Sequence, residues 1–385
     1  MTRPSSTIDA RSLRRPAIGV GLVGAGVCAA AYSTHPEQFL RSYLVAWLLW
    51  TGITLGSMAV GMLHNLTGGA WGLAVRRISN AAATNLPLMG LLFLPIGLQL
   101  NVLYPWAQPD LVAHDPILQH KQLYLNPQFF LGRTAFYFIV WCMLQSWVTF
   151  RLRRVVNNPD PERGVKLRLA SARGLLIYAV TMTFAAIDWS MSLEPHWFST
   201  IYGILFFVGQ GLSGLAFGVC MAVVIRERDP AITPLSKKQL VDLGNLLLAF
   251  TMLWAYMSLS QGLIIWYADL PEEIPWYLKR IAGGWQYVFM GLALFHFAVP
   301  FALLLSRGIK ENPVRLARVA AWIIAMRFID LMWLVEPAFE TRTGYVPWFD
   351  IACLLAIGGL WFTMFTLRLE TNAWLHAEPP PEEHH

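Results

Sequence analysis

Three titratable side chains stand close together in the stretch IDWSMSLEPHWFST, which lies between two long apolar runs. Asp188, Glu194 and His196 are separated there mainly by aromatic and sulfur-containing residues, and Pro195 stiffens the segment. We expect a tight turn in which the three side chains crowd together and Asp188 faces the protein interior. Acids that crowd together raise one another's pKa, so one of them could keep a proton near neutral pH. Such a cluster suits proton exchange.

The composition predicts the surroundings of this cluster. The chain has 385 residues, of which 56% are hydrophobic and only 14% are charged, whereas a soluble domain carries roughly 25% charged residues. Its mean hydropathy is +0.48, and apolar runs of about 18 or more residues recur along it. We therefore expect a membrane protein surrounded by lipid. The net charge of +6 does not indicate a nucleic-acid partner, because the basic residues lie between apolar segments.

The apolar runs predict about ten transmembrane helices, so the expected fold is an all-α polytopic membrane protein. The predicted spans are residues 16–33, 39–63, 80–101, 128–150, 171–189, 199–224, 241–266, 280–305, 317–337 and 348–368. Residues 1–15 would form an N-terminal tail and residues 16–368 the transmembrane domain. Residues 369–385, which include the Pro-rich segment AEPPPEEHH, would form a disordered tail.

The basic residues predict the orientation of these spans. One side of the predicted membrane carries 22 of the 29 lysine and arginine residues, and the other side carries five. Because cytoplasmic loops are enriched in lysine and arginine, we expect both termini in the cytoplasm. The first span could instead be a signal sequence, since RSLRRPAIGVGLVGAGVCAAAYS has basic, apolar and small-residue zones. The remaining topology is the same in either case.

Two outer segments are more than short turns. Residues 101–126 and the stretch YADLPEEIPWYLKR combine proline, aromatic and acidic residues. They could provide a docking surface for an extracytoplasmic partner, or they could pack on the bundle as a cap.

Further polar side chains fall at membrane depth, where an ionised group costs several kcal/mol unless it has a partner or faces a cavity. Arg327 and Asp330 are three residues apart on one helical face and can form an ion pair. Pro300 has no amide hydrogen for the His296 carbonyl, so a kink there could admit water. The candidate set outside the opening stretch is Arg133, Arg327, Asp330, Glu336, Gln210, His296 and His64.

Carboxylates and imidazoles are the groups that membrane proton relays use. The set predicts a path whose outer mouth is Asp188, whose next position inward is Asp330 beside Arg327, and which continues to Gln210 and His296. The alternative is structural: the acids of the opening stretch would cap the sixth span, because negative charge is favourable at a helix N-terminus.

The sequence also bears on redox chemistry. A bis-histidine haem needs facing pairs of membrane histidines, and only His296 lies clearly within a predicted span. The four cysteines stand singly in apolar runs without haem-attachment or zinc spacing, and we interpret them as small buried hydrophobic residues. We expect no cofactor or metal bound by this chain, although a quinone or quinol could interact with it.

Four long motifs resemble a known family. They are RTAFYFIVWCMLQSW, IDWSMSLEPHWFSTIYG, DLGNLLLAFTMLWAYMSLSQGLIIWYADLPEEIPWYLKR and FHFAVPFALLLSRGIKENP. The chain resembles the NrfD-like membrane subunits, and most closely the ActF subunit of bacterial alternative complex III, a quinol:cytochrome c or quinol:oxidase oxidoreductase. The resemblance covers nearly everything from the second span to the tenth.

The resemblance implies two four-helix bundles, formed by spans two to five and six to nine, with peripheral first and last helices. It implies a place in the bacterial cytoplasmic membrane and a role that leans toward proton conduction. The implied partners are a sister NrfD-like subunit, an Fe–S and molybdopterin-like subunit, and haem c subunits. The chain itself would be a subunit without a redox centre.

Two other functions remain open. The chain could be the membrane anchor of another molybdoenzyme-type complex, such as a polysulfide-reductase-like system. It could also be a stand-alone ion or solute transporter. Transporters often contain repeats with interrupted helices around a midplane site, and paired segments with matching polar residues are not evident in this sequence.

Overall fold

The computed structural model describes residues 10–228, 235–339 and 348–371, and in these ranges every regular element is a helix. The predicted all-α polytopic membrane fold is confirmed. Ten helical segments form the bundle. They are α1 Arg11–Thr34, α2 Pro36–Thr67, α3 Ala70–Leu98, α4 Pro127–Asn157, α5 Pro161–Trp189, α6 Tyr202–Arg228, α7 Lys237–Ala268, α8 Trp285–Leu305, α9 Pro313–Val335 and α10 Trp348–Thr371.

Nine of these helices in the described ranges are long and apolar enough to cross a membrane. The tenth, α9, has 23 residues and carries Arg327 and Asp330 in its second half. It packs along α6 and α2, which are among the apolar helices. Arg327 and Asp330 are buried, so these two charges lie inside the bundle and do not face lipid.

Proline and a capping side chain mark the start of three long helices. Each has proline at its first position, where a missing amide hydrogen costs nothing. Each is preceded by an asparagine or aspartate whose side chain accepts a backbone N–H of the first turn. The capping residues are Asn126 for α4, Asp160 for α5 and Asn312 for α9. Asn-Pro and Asp-Pro pairs thus define these boundaries in the sequence.

Several boundaries differ from the predicted ones. Helix α3 begins at Ala70 and not near residue 80, so Arg76 and Arg77 lie within a helix and not in a loop. Arg77 extends along the bundle and donates to the Leu369 carbonyl at 2.7 Å, as long basic side chains do near membrane interfaces. Helix α1 begins at Arg11 and so includes part of the predicted tail. Residues 1–9 and 372–385, with most of the predicted disordered tail, lie outside the described residues.

Two of the long segments are irregular. Helix α3 consists of three pieces, Ala70–Ala83, Leu86–Leu91 and Leu94–Leu98, and Pro87 and Pro95 stand near the starts of the last two. Helix α8 contains a π-helical turn at Leu292–Ala298, just before Pro300. Proline interrupts the hydrogen-bond ladder of a helix, and neighbouring helices can compensate for the interruption within a membrane bundle.

Helices α2 to α5 pack on one another, and so do α6 to α9, while α1 and α10 pair with each other and α10 also contacts α2. We call the end near Trp189 the outer end, in line with the predicted orientation. Short helices cover it, at Leu100–Leu103, Pro105–Ala107, Pro109–His114, Pro116–Lys121, Met191–Leu193, Ile274–Arg280 and Glu336–Ala338. At the inner end Arg14 pairs with Glu370 at 3.0 Å. The chain's first and last long helices therefore share that end.

Helices α2 and α6 form the centre of the molecule and are the most deeply buried of the spans. They cross with their backbones in contact at Gly56 and Gly214. A Cβ atom at Gly56 would lie 1.7 Å from the Gln210 carbonyl oxygen, and one at Gly214 would lie 2.3 Å from the Gly56 carbonyl carbon. Small residues allow such close approach between membrane helices. This crossing holds the two groups of four helices together.

We expect Gly56→Ala to destabilise the protein, because two backbones would have to move apart. Overpacking costs about 1–3 kcal/mol, and the upper end applies since the clash is with backbone. The measurement is the thermal unfolding midpoint of the purified chain in detergent. Gly61→Ala, on the same helix, is the control: its Cβ would meet nothing within 4 Å. Equal midpoints for the two variants would contradict the crossing.

Candidate functional site

The Asp188 carboxylate is fully buried and fully bonded. It accepts two hydrogen bonds from Arg133, Nε to Oδ2 at 2.9 Å and Nη2 to Oδ1 at 2.8 Å. The Tyr137 hydroxyl donates to Oδ2 at 2.7 Å. A bidentate arginine is the strongest partner that a carboxylate finds in proteins. As expected, Asp188 faces the interior, where it links the end of α5 to α4.

Arg133 is held in place from its other side. Its Nη1 donates to the Tyr124 carbonyl at 2.8 Å, and the guanidinium carbon lies 3.7 Å from the centroid of the Tyr124 ring. The outer segment between α3 and α4 is thereby tied to the same ion pair. Protein atoms surround the Arg133–Asp188 pair, and its contacts belong to α4, α5 and this outer segment. The pair therefore joins these three parts of the chain.

The three titratable groups of the opening stretch do not form one cluster, and that expectation is wrong. Glu194 pairs with Arg280 at 2.7 Å and with Lys279 at 3.2 Å. His196 pairs with Asp115 at 2.7 Å. The reason is geometric: the 3-10 turn Met191–Leu193 continues the winding of α5, so the side chains leave it toward different segments.

The outer segments are tied to the bundle by these contacts. Lys121 Nζ donates to the Pro195 carbonyl at 2.6 Å. The buried Arg280 donates to the Leu334 carbonyl at 2.7 Å, and the Trp197 ring stacks on Trp276 with centroids 4.4 Å apart. These contacts support the interpretation that the outer segments pack on the bundle as a cap.

Arg327 and Asp330 form the predicted ion pair on α9. Both side chains are buried. Trp254 of α7 donates its indole N–H to Asp330 Oδ2 at 3.2 Å. The guanidinium lies against the backbone of Gly209, where a Cβ atom would come within 2.4 Å of the Arg327 Cζ. The pair thus sits between α6, α7 and α9 in the second group of helices.

The imidazole ring of His296 lies beside this pair and is without a hydrogen-bond partner among the described residues. Its side chain is fully buried, and neither ring nitrogen has a hydrogen-bond partner among the described residues. The Trp254 ring stands edge-on to the imidazole with centroids 4.1 Å apart. His296 belongs to the π-helical turn of α8, a deviation that often marks functional sites. Trp254 therefore contacts both Asp330 and His296.

Gln210 lies at the crossing of α2 and α6 but points toward the first group of helices. Its Oε1 accepts the Tyr178 hydroxyl at 2.5 Å, and its Nε2 donates to Met182 Sδ at 3.3 Å. It follows Gly209, against which Arg327 packs. Gln210 is thus between the two groups of helices and not between Asp330 and His296 as the predicted order implied.

His64 is placed at the inner end. Its Nε2 is 3.1 Å from the Gly69 carbonyl in the turn between α2 and α3, and its ring packs against Gly72 and Trp71. These contacts give it a role in shaping that turn.

Two acids do share a buried site at the outer end, but they are Glu336 and Asp350, each 1% exposed. Glu336 lies in the 3-10 turn after α9, outside the spanning helices. Burial and then the charge of Asp350 raise the pKa of Glu336 to about 8, and Arg41 opposes that rise. A pKa raised in this way would let Glu336 hold a proton near neutral pH, as was expected of an acid in the opening stretch.

A small polar cavity between α2, α3 and α4 was not predicted. Its volume is about 20 Å³, enough for a water molecule, and its polar lining residues are Ser57, Asn65, Arg76, Ser79, Asn80 and Gln145. The signal was present in the sequence. Ser57, Gly61 and Asn65 repeat at every fourth position of α2, which places small and polar side chains on one helical face.

Two cysteines that seemed isolated in the sequence meet in the structure. Cys28 of α1 and Cys353 of α10 have their sulfur atoms 3.6 Å apart. Both side chains are buried, as expected. In the described ranges, groups of three or more histidine, cysteine or acidic side chains suited to a metal ion are not found.

A comparison of the chain with models of known protein families gave no match, and a comparison with curated proteins gave none either.

Asp188→Asn should destabilise the protein, because it leaves the buried Arg133 guanidinium without its counter-ion. Removing one member of a buried pair costs about 3–5 kcal/mol, and the thermal unfolding midpoint in detergent reports the loss. Adding Arg133→Gln to the variant should restore part of the stability. Asp115→Asn, which breaks an ion pair at the surface, is the control and should change the midpoint little. A wild-type midpoint for Asp188→Asn would refute the structural role of the pair.

Proposed function

We propose that this chain is a membrane subunit of a bacterial quinol-oxidising respiratory complex of the NrfD-like kind, that it has no redox centre of its own, and that its buried polar side chains conduct protons. The observation that carries the proposal is His296, a fully buried imidazole without a hydrogen-bond partner among the described residues. The four sequence motifs that resemble the ActF subunit support the assignment to a respiratory complex.

An unbonded imidazole is costly in this position. A buried polar group without a hydrogen bond costs roughly 1–3 kcal/mol, and a leucine of similar size would fill the same space without that cost. His296 stands beside the Arg327–Asp330 pair and in a π-helical turn, and it shares the contact with Trp254. Polar groups of this kind inside membrane bundles mark ion and proton pathways.

The proposed path enters at Glu336 and Asp350 at the outer end. Asp330 precedes Glu336 by six residues, which places it about 9 Å deeper along α9. Trp254 connects Asp330 to His296 through its indole ring. In this path the carboxylates and the imidazole would take up and release protons, while Arg327 holds the Asp330 side chain in place. This entrance replaces the predicted one at Asp188, whose carboxylate is occupied by Arg133.

The inner half of the path leads from the site formed by His296, Asp330 and Arg327 into the first group of helices. Arg327 contacts Gly209, and the next residue, Gln210, touches the backbone of Gly56. Ser57 follows Gly56 and lines the polar cavity. Water in this cavity would continue the path toward Arg76 near the inner end. The path therefore crosses between the two groups of helices at α6.

The remaining parts of the proposal rest on the resemblance and the charge distribution. Electrons would pass through partner subunits that carry haem c and Fe–S clusters, beside a sister NrfD-like subunit. These partners would dock on the outer cap, and a quinone could bind at an interface with them. The lysine and arginine distribution supports a cytoplasmic location of both termini.

Membership in a complex can be tested by purification. An affinity-tagged chain, extracted from its native membrane in a mild detergent, should bring with it haem c, Fe–S clusters and quinol:acceptor activity. The control is the same extraction from cells that carry an untagged chain. A tagged chain that migrates alone, and that moves a solute across liposomes by itself, would contradict the proposal and favour a transporter.

The proton path can be tested separately with His296→Leu in the purified complex. Replacing His296 by leucine breaks no hydrogen bond among the described residues. The variant should therefore assemble and be as stable as wild type or about 1–2 kcal/mol more stable. Quinol oxidation in liposomes should persist, while the number of protons moved per quinol falls to that released by quinol chemistry alone.

The matched control for this experiment is Thr251→Val, which alters a buried polar residue whose hydroxyl bonds only within its own helix, to the Leu247 carbonyl. It should leave both quinol oxidation and proton movement intact. An unchanged ratio of protons to quinol in His296→Leu would show that the imidazole is not part of a path.

A further inference from the structure

We propose that an anionic phospholipid of the inner leaflet binds in a groove between α3, α4 and α10, with its phosphate at Arg153 and Arg368. The inner-leaflet assignment rests on the proposed membrane orientation, and the site is independent of the proposed respiratory role and proton path. The groove has a volume of about 380 Å³ and opens on the flank of the bundle.

The groove exists because α3 is broken. Its floor is the junction between the first and second pieces of α3, at Ala83, Thr84 and Leu86. Pro87 lacks the amide hydrogen that would bond the Ala83 carbonyl, so the helix turns aside at this point. The Asn85 side chain fastens the break to α10 by donating to the Trp361 carbonyl at 3.0 Å. A recess therefore remains between α3 and its neighbours.

The lining changes in polarity along the groove. One face of α4 supplies Cys142, then Gln145 and Ser146, then Thr149 and Phe150, and finally Arg153. From residue 142 to residue 153 the helix rises by about 16 Å. From the deep end of the groove to its shallow end, the lining is a sulfhydryl group with an apolar wall, then polar side chains that include hydroxyl groups, and finally a cation. A phospholipid has the same order of acyl chain, ester groups and phosphate.

Two arginines make the shallow end of the groove positive. Arg153 and Arg368 are both exposed there, one from α4 and one from the last turns of α10. Basic pockets between membrane helices on the cytoplasmic side bind anionic lipid head groups. A soluble phosphate ion could contact the two cations but would leave the apolar and hydroxyl-lined part of the groove unfilled. The charge and the shape together favour a lipid.

The inner end carries other basic residues, and these provide the comparison. Arg151 and Arg154 lie at the same end of α4, but they line a separate pocket, shared with Arg163 and Lys166 of α5. That pocket also contains Asp160 and Glu162, and Glu162 pairs with Lys166 at 2.5 Å. Its lining is polar, without the apolar depth that an acyl chain requires.

The experiment is native mass spectrometry of the full chain in detergent, titrated with phosphatidylglycerol or with phosphatidylcholine of identical acyl chains. Wild type should bind one phosphatidylglycerol in preference to phosphatidylcholine. Each arginine contributes about fivefold to the binding of an anionic lipid, so Arg153→Gln combined with Arg368→Gln should weaken phosphatidylglycerol binding about 25-fold. The matched control is Arg151→Gln combined with Arg154→Gln, which removes two charges outside the groove and should retain the lipid.

Two further measurements separate the groove from general basic charge. Ser146→Phe keeps all charges but fills the middle of the groove, and it should also weaken phosphatidylglycerol binding. Inorganic phosphate added in excess should not displace the bound lipid. The proposal is overturned if the two arginine pairs have equal effects, if Ser146→Phe binds like wild type, or if phosphate alone displaces the lipid.

Discussion

The high free energy of an uncompensated charge in hydrocarbon governs the arrangement of this bundle. Arg133 is matched to Asp188, and Arg327 to Asp330, each pair within the helices. Arg280 is matched to Glu194 beneath the outer cap. The Arg133–Asp188 and Arg280–Glu194 pairs also fix the relative positions of the segments that supply them, whereas the Arg327–Asp330 pair lies within α9. The imidazole of His296 differs from these paired groups, because it is fully buried and neither ring nitrogen has a hydrogen-bond partner among the described residues, and this difference carries the functional argument.

The crossing of α2 and α6 joins the two groups of helices that contain these charged pairs. Because Gly56 and Gly214 have no side chains, the two backbones touch, and each helix is left with little surface for lipid. The crossing places Gln210 among residues of α5 while its neighbour Gly209 receives Arg327 from α9. This polar connection between the two groups of helices lies where the side chains at the crossing are small, so packing and the proposed function depend on the same few residues.

Structural features that depend on local spacing could be predicted from the sequence, whereas contacts between distant segments could not. The Arg327–Asp330 pair follows from a separation of three residues on one helix, and the spans follow from apolar runs of sufficient length. The partner of Asp188 is 55 residues away, and no local pattern distinguishes it from other basic residues. The expected crowding in the opening stretch failed because a 3-10 turn, which the sequence does not signal, spreads its side chains. The early start of α3 was missed because arginines suggested a loop, although long side chains can reach the interface from within a helix.

The account depends most on whether His296 is hydrated and exchanges protons or is simply enclosed in a dry interior. An electron cryo-microscopy map of the complex in lipid nanodiscs, at a resolution that shows ordered water, measures this directly. The account predicts water within hydrogen-bond distance of Nδ1 or Nε2, connected to the Arg327–Asp330 pair. An imidazole packed on all sides by apolar atoms, without water, would contradict it.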